Sequence, residues 1–308
     1  NSGFWAITRL DNLVEVHRDH RTFSSQVGGT ELEELEKDPE AREARRTMLE
    51  TDPPEHTRIR KLVSRNFTRG AIEKWESTAR ALIAENMDEA LLDHRVDFVE
   101  TVARKFPIQM ISKLLGVPDQ DAEQLFHWAD AVVYHNDPDF SELLYDKEDT
   151  EPYRLLPFRS PSSLKVFEYA QKLANERAKR PEADVVSILA ASEELTPSEF
   201  QTFFLLLVIA GNETTRHSLS HGALALTKFP GQLDRLREEP DLMGAATEEI
   251  LRWASPQIHF RRTAVCDTEL AGVPISAGDK VVMWYISANY DERAFADPFT
   301  LDLSRNPN

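Results

Sequence analysis

Apolar side chains recur at three- and four-residue steps along much of the chain, as in Ile72, Trp75, Ala79, Leu82 and Ile83. That spacing predicts amphipathic helices, and it holds from about residue 55 to about residue 228. Ahead of it, Phe4 to Thr8 reads as a short strand, followed by a helix through Leu13 and Val16. Residues 24 to 55 are polar, charged and loop-like, ending in Asp52-Pro53-Pro54. Between Asp137 and Ser163 the helical pattern lapses. Pro138, Pro152, Pro157 and Pro161 with mixed charge predict a long connection there.

The clearest helix opens at Thr196-Pro197-Ser198-Glu199. Thr196 is a good N-cap, Pro197 suits the first helical position, and Glu199 can reach back to complete a capping box. The helix is expected to run to about Lys228, where Pro230 stops it, a length of roughly 45 Å at 1.5 Å per residue. From Phe203 to Ala210 it is apolar nearly all round, which predicts a central place in the fold. After Trp253 the pattern shortens to β-rich runs at Phe260 to Val265, Glu269 to Leu270 and Lys280 to Ile286. The expected fold class is mainly α with a small β-rich region.

Composition narrows the function. The 308 residues are 41% hydrophobic and 29% charged, enough apolar material for a sizeable core. A net charge of -17 argues against a general nucleic-acid binder and against adsorption to anionic membranes. The longest strongly apolar run, Phe203 to Gly211, falls far short of the ~20 residues of a membrane helix. Cys266 is the single cysteine, so no internal disulfide forms, and a reducing cytoplasm is expected.

Chemistry concentrates in a few places. Ala210-Gly211-Asn212-Glu213-Thr214-Thr215 is a polar step inside the long apolar helix. A mid-helix Gly costs up to ~1 kcal/mol, and adjacent Thr residues can bond back to the i−4 carbonyl. On physics alone a locally bent core helix and a functional step are equally good readings. Glu249 and Arg252 stand three apart on a helix and can pair, which by itself is a common surface arrangement. His56 and Arg60 share a helix face at i, i+4, which alone reads as a surface face. Glu213, His217 and His221 form another stripe with acceptable metal-ligand spacing, although a plain polar stripe is the simpler reading.

Taken together, these segments resemble the cytochrome P-450 family, the haem-thiolate monooxygenases. Ala-Gly-x-Glu-Thr-Thr looks like the family's oxygen-activation segment. The resemblance implies that Ala210 and Gly211 let the helix approach the haem, and that Glu213 and Thr214 deliver protons. Glu249-Ile250-Leu251-Arg252 resembles the family's buried ion pair. The strand that follows, Phe260-Arg261-Arg262-Thr263-Ala264, would place Arg262 on a haem propionate. Asp52 to Arg60 resembles the segment whose His and Arg hold the propionates, here His56 and Arg60. Where the family has Ala-Asn-Arg-Asp, this chain has Ala288-Asn289-Tyr290-Asp291, leaving Arg293 as the nearest basic residue.

The resemblance covers the chain from Phe4 to Asn308 and implies one cytochrome P-450 domain, incomplete at both ends. The loop that carries the axial cysteine is expected beyond Asn308, and Cys266 reads as an ordinary small residue. The implied cofactor is haem b with O2 as cosubstrate, and without an axial thiolate O–O cleavage is not supported. The implied reaction inserts one oxygen atom into a C–H bond of a hydrophobic substrate, and within the family the chain looks most like sterol and methyl-branched-lipid hydroxylases. Val208, Ile209, Ile258, His259 and Phe260 are expected to line the substrate pocket. Electrons are expected from a ferredoxin and its ferredoxin reductase, docking on Arg58, Lys61, Arg65 and Arg69 along one side of a basic helix. A cytoplasmic monomer is expected. Two other classes stand as alternatives: an apolar-ligand-binding module of the same fold without turnover, and an all-helical terpene cyclase. For the latter, Asn136 to Ser141 approaches an Asn-Asp-x-x-Ser metal motif but is one residue too long.

Overall fold

The computed structural model describes residues 3–32, 38–135, 137–140, 149 and 151–306. Asn136 and Ser141, the ends of the metal-like motif, lie outside them. In chain order the helices are α1 (Leu10–Arg18), α2 (Pro39–Arg45), α3 (Glu55–Ser64), α4 (Arg69–Ile72), α5 (Glu76–Ala90), α6 (Lys105–Leu115) and α7 (Asp119–Val133). They continue with α8 (Pro161–Lys179), α9 (Val185–Ala190), α10 (Pro197–Lys228), α11 (Pro230–Glu238), α12 (Met243–Ala254) and α13 (Tyr285–Asn289). The strands are β1 (Trp5–Ile7), β2 (Phe23–Ser24), β3 (His259–Ala264), β4 (Thr268–Leu270), β5 (Val273–Ile275) and β6 (Lys280–Trp284). The mainly α class with a small β-rich region is what the periodicity predicts.

Contacts divide the chain into two compact units, Glu34–Glu213 and Asn1–Glu33 with Thr214–Asn308. The first is all helical. Leu115, Leu125, Phe126, Val166, Val185 and Phe204, each fully buried, anchor its core. Gly116 stops α6 in the left-handed conformation at φ 78°, a backbone state that favours glycine. The Thr196 cap forms in full: Thr196 N–H donates to Glu199 at 2.7 Å, and Glu199 N–H donates to the Thr196 hydroxyl at 3.2 Å. One loop-like stretch is better ordered than its polarity suggests. Asp38 accepts from the Ala41 N–H at 3.0 Å and Pro39 occupies the first turn, so α2 has a proper start. The connection after Asp137 ends at Ser160, because Ser160 caps α8.

The second unit carries the sheet, in the order β1-β6-β3-β2, with β1 parallel to β6 and the other pairs antiparallel. Alternation along β3 sends Phe260 and Ala264 toward a core of Val16, Phe23, Val281 and Met283. β4 and β5 pair as a hairpin whose turn puts Ala271 and Gly272 at positive φ.

Candidate functional site

The long helix has two different faces. Phe203, Phe204, Leu205 and Val208 are buried in the helical core. Leu206 and Ile209 are only partly buried, and Ala210 is exposed although it lies mid-helix. Glu213 and Thr214 follow Ala210 by one turn and are also partly exposed. An all-round apolar segment has therefore one side in the core and one uncovered side that ends in an acid and a hydroxyl. That side fits the flat apolar body of a haem.

Val208 is fully buried, and its side chain packs in the helical core. Leu206, unremarked in the sequence, shares the open face, one turn before Ile209 and Ala210. Gly211 has a packing role as well: a Cβ there would lie 2.8 Å from Ile111 Cδ1 on α6. Beside it, Asn212 is buried and its Nδ2 donates to Asp130 on α7 at 3.4 Å. The Tyr134 hydroxyl donates to the Glu213 carboxylate. The Ser218 hydroxyl donates to the Thr214 carbonyl at 2.8 Å. Among the described residues no group of three or more His, Cys, Asp or Glu side chains is placed to hold a metal ion.

On α3, His56 is half-buried and Arg60 exposed, one turn apart. Arg262 on β3 is half-buried, and its Nη1 donates to the Arg261 carbonyl at 2.8 Å. Its charge reaches His17, an exposed residue whose ring is partly desolvated, so that its pKa is lowered to about 4 by that desolvation first and by Arg262 second. His17 Nε2 is 2.9 Å from the Tyr285 hydroxyl, and burial raises that phenol to about 12. Ile258 is 53% exposed, His259 packs edge-on against Trp284, and Phe260 packs edge-on against Tyr285. Ile258 is thus the most accessible of the three pocket candidates in this unit.

The Glu249–Arg252 pair is buried and bidentate, with Arg252 Nε and Nη2 donating to the two Glu249 oxygens at 2.6 and 2.9 Å. The third member of the network is Arg305, not Arg293. Arg305 Nε donates to Glu249 at 3.0 Å, while Arg293 is exposed. Arg252 Nη1 donates to the carbonyls of Asn289 and Pro298, and the Asp302 N–H donates to Glu249. Tyr290 keeps a different place: the Arg252 guanidinium lies 5.2 Å from its ring centre, and its hydroxyl donates to the Trp253 carbonyl at 2.8 Å.

The basic stripe is shorter than the sequence suggests. Arg58 is bound by Glu55 and Glu199, so its charge is neutralised locally. α3 ends at Ser64, and Thr68 is extended at ψ 154°, which takes Arg69 off the helix line and into a pair with Glu73 at 2.9 Å. Lys61 and Arg65 remain as exposed members. Cys266 is exposed in the turn between β3 and β4.

An apolar helix face ending in Glu-Thr and a buried Glu-x-x-Arg network together define a haem monooxygenase framework. The cytochrome P450 family profile matches residues 27–306, and the chain belongs to that family. It is 39% identical to a steroid C26-monooxygenase of Mycobacterium tuberculosis over 317 residues, covering all of this chain and 69% of that protein. It is 38% identical to a methyl-branched lipid omega-hydroxylase of the same species, covering all of this chain and 70% of that protein. A Mycobacterium marinum cytochrome P450 in complex with pseudoionone matches the fold with a TM-score of 0.88 at 40% identity, over all of this chain and 73% of that one. The chain is therefore an oxidoreductase of the P450 monooxygenase class, for which the family implies haem and O2. Among the described residues no helix is long and apolar enough to cross a membrane.

Proposed function

We propose that the intact protein hydroxylates a lipid, a sterol side chain or a methyl-branched chain, using O2 and electrons from a ferredoxin. The observation that carries this reading is the uncovered apolar face of α10 at Leu206, Ile209 and Ala210, ending in Glu213 and Thr214. Relatives named for steroid and methyl-branched lipid oxidation support the substrate class. Haem, when bound, supplies the dioxygen-activating redox chemistry, and the protein supplies position, dryness and protons. His56, Arg60 and Arg262 would hold the propionates. Ile209, Ile258, His259 and Phe260 would contact the substrate, with few polar groups to fix its orientation. Glu213 carries a proton toward the Thr214 hydroxyl, and Thr214 Oγ1 passes it on. We assign the whole of residues 1–308 to one P450 domain, acting as a cytoplasmic monomer.

The test is a spectral titration of the full-length, haem-loaded protein. A sterol or a methyl-branched fatty acid is expected to shift the haem absorbance at micromolar concentration. A shift produced by small polar compounds and by neither lipid overturns the substrate class. A shift without NADH-dependent product in the presence of ferredoxin and its reductase favours the binding-module alternative.

The donor surface reduces to Lys61 and Arg65, because Arg58 and Arg69 are paired. Charge complementarity raises encounter rates more than affinity. Arg65→Glu is expected to slow first-electron transfer at low salt and leave substrate binding intact. A reduction rate insensitive to this reversal and to ionic strength places the donor elsewhere.

A further inference from the structure

Two consecutive residues of α10 are held from a single helix. Asp130 and Tyr134 stand one turn apart on α7 and its C-cap, where the Tyr134 N–H donates to the Asp130 carbonyl at 2.8 Å. Their side chains therefore share a face. Asp130 accepts from Asn212 Nδ2 at 3.4 Å, and the Tyr134 hydroxyl donates to Glu213. Asp130 and Asn212 are 5% and 2% exposed, so this polar contact lies inside an otherwise apolar helix interface. Burying such groups costs free energy unless they are bonded, and an apolar pair would pack there equally well. What the polar pairs add is direction.

The Tyr134 ring is fixed on its other side. It packs against Phe140 with ring centres 4.6 Å apart. A glutamate side chain has several rotatable bonds to order, and a donor held in place selects one orientation of its carboxyl group. Glu213 adjoins Thr214, so the direction of that carboxyl group decides whether a proton is passed on or kept.

We infer that Tyr134, supported by the Asp130–Asn212 contact one turn before it, is a positioning residue that sets where the Glu213 carboxyl group points. The inference rests on the reading of Glu213 as a proton relay. Tyr134 touches neither substrate nor the reacting atoms in this scheme. It acts through Glu213 alone, and Phe140 holds the phenol in register.

The experiment uses the full-length, haem-loaded protein and the variants Tyr134→Phe, Glu213→Gln and the double. Phenylalanine keeps the ring and its contact with Phe140 and removes only the donor. Tyr134→Phe is expected to lower kcat and the share of electrons recovered in product several-fold, with substrate Kd within about twofold of wild type, the signature of a loss confined to turnover. The double variant is expected to turn over no more slowly than Glu213→Gln, because the donor has then nothing to position. An independent readout is infrared absorption: the carboxyl band missing in Glu213→Gln should move in Tyr134→Phe. Asp130→Asn is expected to change turnover in the same direction by less. Normal turnover and an unmoved band in Tyr134→Phe overturn the inference, as do losses that multiply in the double variant. Unchanged turnover in Glu213→Gln sinks the relay reading and this role with it. An active Glu213→Gln effect beside an inert Tyr134→Phe sinks the positioning role alone.

Discussion

Two ion-pair clusters use the same chemistry in different surroundings. Around Glu249, two arginines and a backbone N–H meet one carboxylate, and the side chains of Arg252, Arg305 and Glu249 are 3%, 9% and 0% exposed. Around Arg58, two carboxylates and the Glu194 carbonyl meet one guanidinium, with the side chains of Arg58, Glu55 and Glu199 at 29%, 47% and 28%. Both clusters gather opposite charges around one central group. They differ in what happens when one member is removed. In the first, the remaining charges have no water to turn to; in the second, they do. Burial, rather than the tally of bonds, decides what each cluster contributes.

The largest expected effect follows directly. Glu249→Ala strands Arg252 and Arg305 in a buried place and is expected to cost about 3–5 kcal/mol. Urea unfolding of the full-length protein measures it, and little folded, haem-loaded material is expected from expression. A wild-type unfolding midpoint in this variant would erase the distinction between the clusters.

A smaller effect tests whether buried pairing also governs the helical unit. Arg177 donates to Asp184 at 2.7 Å and to the Gly116 carbonyl at 2.7 Å, and Asp184 also caps α9 through Ser187 N–H. A Cβ at Gly116 would lie 2.1 Å from the Asp184 carboxylate, on a backbone already at φ 78°. Gly116→Ala is expected to cost on the order of 2 kcal/mol, from left-handed strain plus displacement of Asp184. Asp184→Asn, which keeps the shape and loses the charge, measures what the Arg177–Asp184 charge pair adds in the same unfolding measurement.

The clusters also mark what the sequence could and could not tell. The Thr196-Pro197-Ser198-Glu199 cap was legible because its bonds are local, and so was the Glu-x-x-Arg pair. Arg305 was not, since it reaches Glu249 from 56 residues away and no local pattern links them. Arg58 read as part of an open basic face because its partner Glu199 is 141 residues off. The burial of Val208 was not legible for another reason. A helix apolar all round has no polar side to orient it, so only packing reveals which residues face outward. By contrast α2 was within reach, because Asp38-Pro39 is an N-cap followed by a first-turn proline, obscured by the charged residues around it.

His17 shows a third treatment of charge, avoidance. Its pKa is lowered from 6.5 to about 4, so the folded protein holds it neutral while the unfolded chain protonates it below 6.5. Between those values the unfolded state binds more protons, and stability therefore falls as pH falls from 6.5 toward 4. The loss is expected to be on the order of 1 kcal/mol at pH 5, once solvent screening is allowed for. His17→Gln should remove this part of the pH dependence, read as the difference between variant and wild type in urea unfolding at pH 7 and pH 5. Equal slopes in the two proteins would mean that His17 is protonated in the fold.

The smallest effect belongs to Arg58. Its guanidinium makes as many hydrogen bonds as that of Arg252, and a count of bonds would rank the two as equal anchors. Its surroundings argue otherwise: both carboxylates can rehydrate once the guanidinium is gone, and Glu199 keeps its bonds to Thr196. Arg58→Ala is therefore expected to cost about 0.2–1 kcal/mol, part of it lost stem packing. Raising salt should shrink the difference from wild type, since screening at ~8 Å near physiological ionic strength weakens exposed pairs while leaving buried ones almost untouched. Measured beside Glu249→Ala, whose cost should hardly change with salt, the pair of variants forms a direct contrast. A salt-independent loss of 3 kcal/mol or more at Arg58 would show that this cluster is shielded from water after all.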